Sequence, residues 1–264
     1  MTTTSHVIDL SIWQLALAVL AIGAVVAISA REALGLERDL IVGTVRTIAQ
    51  LYLVGIILAS VFAAARWYWV VLVLIGMTVI ATQAAVSRLR KPIPGGYAIA
   101  ATAITVSTGI TLAWVIGVVV RVQPWYEPQY VIPIAGMILG NAMTSAALAG
   151  DRLQSDLRTR TDEIEAMLAL GFSGTEAVRP MVRSAVRAAM IPTVSGMMTV
   201  GLVQLPGMMT GQILAGTSPL VAIEYQIVIV FMLAVATSIA SFVFVRLAVG
   251  RYLTPAHQLR RYLL

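Results

Sequence analysis

Tyr68-Trp-Val-Val-Leu-Val-Leu-Ile-Gly-Met-Thr-Val-Ile-Ala-Thr-Gln-Ala-Ala-Val86 contains no Asp, Glu, Lys or Arg. Coiled into a helix, it is long enough to cross roughly 30 Å of hydrocarbon, whereas a helix on a soluble domain would carry charge along one face. Comparable apolar runs lie near residues 11–30, 40–63, 97–120, 131–149, 190–214 and 224–247. The pattern predicts an all-α polytopic membrane protein with about seven crossings, forming a single membrane domain over residues 1–264.

The composition agrees: 59% of the 264 residues are hydrophobic and only 11% charged, against about 25% charged in soluble domains. The net charge of +6 does not point to nucleic acid, because the basic residues sit in short segments beside apolar runs, where they orient the chain and meet lipid. With no cysteine, there is no disulfide framework, thiolate metal site or thiol nucleophile. The start, Met1 to Asp9, has no Lys or Arg, so it lacks the basic head of a cleaved signal peptide, and the first run is expected to remain as a helix.

Charge asymmetry predicts an N-out, C-in orientation. On one side lie Arg31 and Arg38, then Arg88, Arg90 and Lys91, the arginines from Arg152 to Arg187, and finally Arg246, Arg251, Arg260 and Arg261. Only Arg66 and Arg121 fall on the other side, and Arg46 lies within a span. The Lys/Arg-rich side is cytoplasmic by the positive-inside rule. Trp67, Tyr68 and Trp69, with Trp125, Tyr126 and Tyr130, place amphipathic rings at the outer interface. Lys91-Pro-Ile-Pro-Gly-Gly96 is a turn between spans, and Gly136, Gly140, Ala147, Gly207, Gly211 and Ala215 are small residues suited to close helix approach.

Residues 151–189 form the one long hydrophilic stretch, expected in the cytoplasm. Asp162 with Glu165 has capping-box spacing, and Ile164, Leu168 and Phe172 predict an apolar stripe. Gly171 is placed to end that helix. Ser173-Gly-Thr-Glu176 is a second capping box, and Pro180 predicts a kink or a fresh start beyond it. Arg179, Arg183 and Arg187 then share one helix face, suited to phosphate headgroups or acidic protein.

The sequence carries no engine of its own. A P-loop needs lysine followed by Ser or Thr, and the only lysine, Lys91, precedes proline. The two histidines, His6 and His257, lie at opposite ends of the chain, so no imidazole pair or hydrolase triad is expected, and the chain is read as a non-enzyme. A path through the bilayer must use polar groups within the spans. Candidates are Arg46 and Gln50, one turn apart; Asn141, which shares a face with Thr144 and Ser145; Gln204, Pro206, Gly207, Met208, Met209 and Gln212 around a proline break; and Glu224 at the mouth of the last span. A broken helix at membrane depth is tolerated only where protein or a watery cavity covers its freed backbone. Met197, Met198, Met208 and Met209 offer soft thioethers or adaptable packing.

Glu165-Ala-Met-Leu-Ala-Leu-Gly171 resembles the E-A-A-x-x-x-G signature of ABC-transporter permeases, with Met167 replacing the second alanine. Ala135-Gly-Met-Ile-Leu-Gly-Asn-Ala-Met143, Gly201-Leu-Val-Gln-Leu-Pro-Gly-Met-Met-Thr-Gly-Gln-Ile-Leu-Ala-Gly216 and Tyr225-Gln226 extend the similarity along nearly the whole chain to the FetB family. These are permeases of an iron-export ABC transporter, related to plant permeases of aluminium tolerance. The resemblance implies an inner (plasma) membrane homodimer of permeases working with two copies of a separate ATPase. That ATPase would bind ATP and magnesium, with no cofactor on this chain. Residues 151–189 become the coupling segment, with Glu163, Glu165, Ala166, Leu168, Gly171 and Phe172 at the ATPase contact. Iron is the implied cargo; a nucleotide sugar or chelate exporter of the same architecture, with Arg46 as a phosphate partner, and an ion-gradient carrier are the alternatives.

Overall fold

The computed structural model describes residues 11–254 and 258–263, so His6 and His257 lie outside the described residues. It is helical almost throughout: α1 (Ile12–Arg31), α2 (Glu37–Ala64), α3 (Trp67–Ser87), α4 (Gly96–Trp114, extended by a π-helical turn Val115–Val119), α5 (Pro128–Thr159), α6 (Thr161–Ala169), α7 (Gly174–Ala177), α8 (Arg179–Thr199), α9 (Gly207–Leu214) and α10 (Pro219–Tyr252). Among the described residues only two isolated backbone bridges interrupt this pattern. Intrahelical hydrogen bonding is what an apolar solvent demands, since backbone left unpaired in hydrocarbon costs several kcal/mol per group, by order of magnitude.

Among the described residues six helices are long and apolar enough to cross a membrane: α1, α2, α3, α4 with its π turn, α5 and α10. The expected run at 190–214 is instead divided between α8 and α9, with the break beginning at Val200 rather than at Pro206. Gly201 supplies the required turn at φ +83°. Its N–H donates to the Gln204 carbonyl at 3.0 Å, while the Leu202 and Val203 amides donate to Thr199. The break is thus a closed, hydrogen-bonded turn that leaves fewer free carbonyls than an unravelled helix would.

The chain forms two compact units. The first contains the described part of Met1–Ala65 and Leu214–Thr217. In its α1–α2 hairpin, buried Ser29 donates to Glu37 at 2.7 Å and accepts from the Leu36 amide. Ile12, Leu20, Leu53 and Ile56 are exposed, as expected of helices whose solvent is lipid.

The second unit, Arg66–Ile213 with the described part of Ser218–Leu264, packs α5 and α10 at its centre, against α3, α4 and α8. Small residues set the spacing. A Cβ at Gly150 would come within 2.6 Å of Leu89 and 2.7 Å of Phe244, so the backbone of α5 approaches both side chains at a position only glycine allows. Gly136 is tight against Met77 (3.2 Å), whereas Gly140, Gly207 and Gly211 have nothing within 4 Å of such a Cβ. Hydroxyls hold the same helices together: Ser107 of α4 donates to the Ala236 carbonyl at 2.7 Å, Ser145 of α5 to the Thr237 carbonyl at 3.3 Å, and Thr193 of α8 to the Thr237 hydroxyl at 3.2 Å.

The hydrophilic stretch is largely helical. Its first residues prolong α5 to Thr159, and α6 starts at Thr161 after Arg160. Asp162 therefore falls inside the first turn and caps nothing; the N-cap position belongs to Arg160. Ile164 is fully buried and Leu168 half-buried against the core, but Phe172 is exposed and lies off the expected stripe. The reason is Gly171: its φ of +90° ends α6 and redirects the chain before Phe172. Ser173 and Glu176 form the expected capping box. Pro180 then occupies the first turn of α8, where its missing N–H costs little, so the proline marks a fresh helix start.

Candidate functional site

A cavity of about 250 Å³ lies where α5, α8 and α10 meet the break. Its polar lining comes from Asn141, Thr193, Gln204 and Gln226, with Met197 and Pro206 completing the wall around them. Asn141 is fixed by donation from its amide nitrogen to the Met137 carbonyl one turn back (3.0 Å). Thr193 is held by its bond to Thr237. Pro192, also on the wall, has no N–H for the helical ladder. Gln226 is the most telling member: it is 8% exposed, and its Oε1 has no hydrogen-bond partner. A buried carbonyl oxygen without a partner costs about 1–3 kcal/mol. A second cavity of about 500 Å³ shares Met197, Pro206 and Gln226 with the first and adds Met209.

The structure therefore gathers Asn141, Gln204 and Pro206 at one cavity and Met209 at its neighbour, with Gly207 opening α9 directly after the break. The other candidates are placed elsewhere. Met208 and Gln212 lie on α9 without lining either cavity, although the Oε1 of Gln212 is buried and unpartnered. Glu224 is exposed on α10. Arg46 and Gln50 are exposed on α2, in the first unit. Thr144 points outward beside Arg88 (3.5 Å), and Ser145 serves helix packing. Gln226 and Thr193 join the site in their place; an amide within the otherwise apolar run of α10 was the available signal for the first, while a lone threonine offered none.

Among the described residues no acidic or basic side chain lines the smaller cavity, and no three His, Asp or Glu side chains converge on one point. Its donor set is amide, hydroxyl and thioether: groups that solvate a polar or cationic solute without carrying counter-charge. Such a set favours passage over tight retention.

At the hydrophilic stretch, the predicted contact residues divide into two groups. Glu163 makes a two-pronged bond with Arg160 (2.7 Å for each contact), which raises the Arg160 pKa above its ordinary value. Glu165 pairs with Arg261 of the C-terminal tail and raises that guanidinium likewise. The tail folds back through a bridge between Leu253 and Leu259, and Leu259 and Leu263 pack against the cluster that buries Ile164. Both carboxylates are thus engaged within the chain. Ala166, Gly171 and Phe172 remain uncovered, as does their neighbour Leu170, at 78% exposure, which lies outside the expected set, while Leu168 is half-buried.

Residues 12–253 match the model of the uncharacterised protein family UPF0014. A UPF0014 membrane protein of Synechocystis is 39% identical over 247 residues, covering 94% of each chain. The Escherichia coli protein named probable iron export permease protein FetB is 37% identical over 245 residues, 93% of each chain. The Arabidopsis thaliana protein ALUMINUM SENSITIVE 3 is 34% identical over 235 residues, 89% of this chain and 85% of its own. No solved structure matches. Hydrocarbon-length helices and full-length similarity lead to the same conclusion: the chain is a multi-pass membrane protein and belongs to the UPF0014 family.

Proposed function

We propose that the chain is the permease subunit of an ATP-driven exporter in the inner membrane, with iron as cargo and a separate ATPase as motor. The observation that carries the reading is the uncharged polar cavity at the break between α8 and α9, within a chain similar over 93% of its length to a named iron export permease. Neutral amide, hydroxyl and thioether donors can share the coordination of a cation with its own waters and release it again. The absence of a P-loop lysine means that hydrolysis belongs to another chain.

The motor docks on the cytoplasmic elbow of α6, Gly171 and α7. Leu170 and Phe172 are apolar side chains displayed on a charged segment, and a partner surface that covers them removes that area from water. Leu168 acts behind them as the link to Ile164 and the core. Two permeases and two ATPases complete the assembly, oriented N-out and C-in.

The test is reconstitution with the candidate ATPase in sealed vesicles. The reading expects ATP-dependent movement of ferrous iron and no movement of a nucleotide sugar. Transport that follows a proton gradient without any ATPase would refute it, as would preference for the nucleotide sugar.

A further inference from the structure

We propose that the outward face of α8 is a binding site for a single anionic phospholipid, with its phosphate on Arg183 and Arg187 and its acyl chain running along Ile191, Val194 and Met198. The site is independent of the cargo and of the ATPase assignment. It begins from the charge pattern. Four arginines of the cytoplasmic side are neutralised by neighbouring carboxylates: Arg90 by Asp151, Arg152 by Asp156, Arg160 by Glu163 and Arg261 by Glu165. Among the described residues no carboxylate bridges Arg179, Arg183 or Arg187, and all three are exposed. Positive charge is left uncompensated along this line of α8.

The side chains beyond the arginines identify the occupant. A helix advances about 100° per residue, so Arg179, Arg183, Arg187, Ile191, Val194 and Met198 fall within an arc of about 120°. The opposite face is the one that packs: Met181, Ala185 and Ala189 are buried against the core. Along the outward face the chemistry changes once, from arginine to exposed apolar side chains, with Ile191 at 57% and Met198 at 75% exposure. Arg187 and Met198 are separated along the axis by roughly 16 Å at 1.5 Å per residue, close to half of a hydrocarbon core of roughly 30 Å. An acidic protein would match the arginines but not the apolar continuation. A free phosphate would match only the top. A phospholipid has the charge at one end, the hydrocarbon at the other and the correct length between them.

The decisive experiment is native mass spectrometry of the full chain released from nanodiscs containing equal phosphatidylglycerol and phosphatidylcholine. The expected result is retention of one phosphatidylglycerol in preference to phosphatidylcholine. It should fall roughly 25-fold in the double variant Arg183→Gln/Arg187→Gln, at about fivefold per arginine, and stay unchanged in Arg66→Gln. Inorganic phosphate at millimolar concentration should not displace the lipid. Equal retention of the two lipids, equal retention by the double variant, or displacement by inorganic phosphate would each overturn the proposal. So would a double variant that keeps its lipid but loses a cytoplasmic partner, because the face would then be a protein contact.

Discussion

Replacing Gln226 with leucine separates a packing role from a role in passage, because both readings leave the fold intact and only the second lowers flux. The side chain is 8% exposed and its Oε1 has no partner, so the native protein carries a desolvation cost of about 1–3 kcal/mol at this atom. Leucine removes the orphaned oxygen and fills a similar volume. If Gln226 serves only the fold, Gln226→Leu is neutral or stabilising, with transport intact. If the amide faces the solute in the cavity of about 250 Å³, the substitution removes one bond to a charged or strongly polar guest, worth about 1.5–3 kcal/mol. Flux should then fall about 10- to 100-fold while the thermal midpoint in detergent holds or rises. The assay pairs a fluorescence melting curve with ATP-driven uptake into inverted vesicles. Unchanged flux in a folded Gln226→Leu protein would remove this amide from the path.

Gly150→Ala places a methyl group 2.6 Å from Leu89 and 2.7 Å from Phe244, and it should destabilise by about 1–3 kcal/mol through overpacking, read as a lower melting temperature. Ser107→Ala deletes the 2.7 Å bond to the Ala236 carbonyl and should cost about 0.6–1.7 kcal/mol by chemical unfolding in mild detergent. Leu170→Asp with Phe172→Asp should leave insertion and melting unchanged but abolish co-purification of the ATPase; retention of the partner would move the docking surface elsewhere. Glu165→Arg should break the bond to Arg261, and the reversal Arg261→Glu should restore it, so recovery of ATPase stimulation in the double variant identifies the tail clasp as part of coupling.

The spans were legible because hydrocarbon sets their length: α1, α2, α3, α4 and its π turn, and α10 lie within a few residues of the apolar runs, and α5 begins close to its own. Composition could not show where α5 ends, because Asp151 to Thr159 is helical yet polar and emerges from the apolar region without a break. The interruption of the expected sixth span was readable from Pro206, but its position was not; Gly201 and the amides that fold back onto Thr199 set it. At the elbow, local chemistry was a good guide where one glycine or one capping pair decides, as with Gly171 and Ser173–Glu176. It could not reveal that Glu165 pairs with Arg261, which is remote in sequence. The cavity shows the same division: Asn141 and Gln204 stood out as amides in apolar runs, while Thr193 needed α10 in place before it acquired a role.

The hydroxyl bonds at Ala236 and Thr237 and the cavity beside them belong to one physical design. Lipid gives helices little hydrophobic reason to associate, so α4, α5 and α8 are tied to α10 through Ser107, Ser145 and Thr193. These bonds are spent on holding the bundle and are closed to solute. Thr193 also lines the cavity, so the wall formed by α8 is anchored at the point where its next turns give way to the break. Beyond that anchor the helix gives way to the turn from Val200 to Pro206, which is held by its own backbone bonds to Thr199 and Gln204. The orphaned oxygen of Gln226 lies at the cavity beside this turn, where the hydroxyl bonds that hold the bundle leave it without a partner.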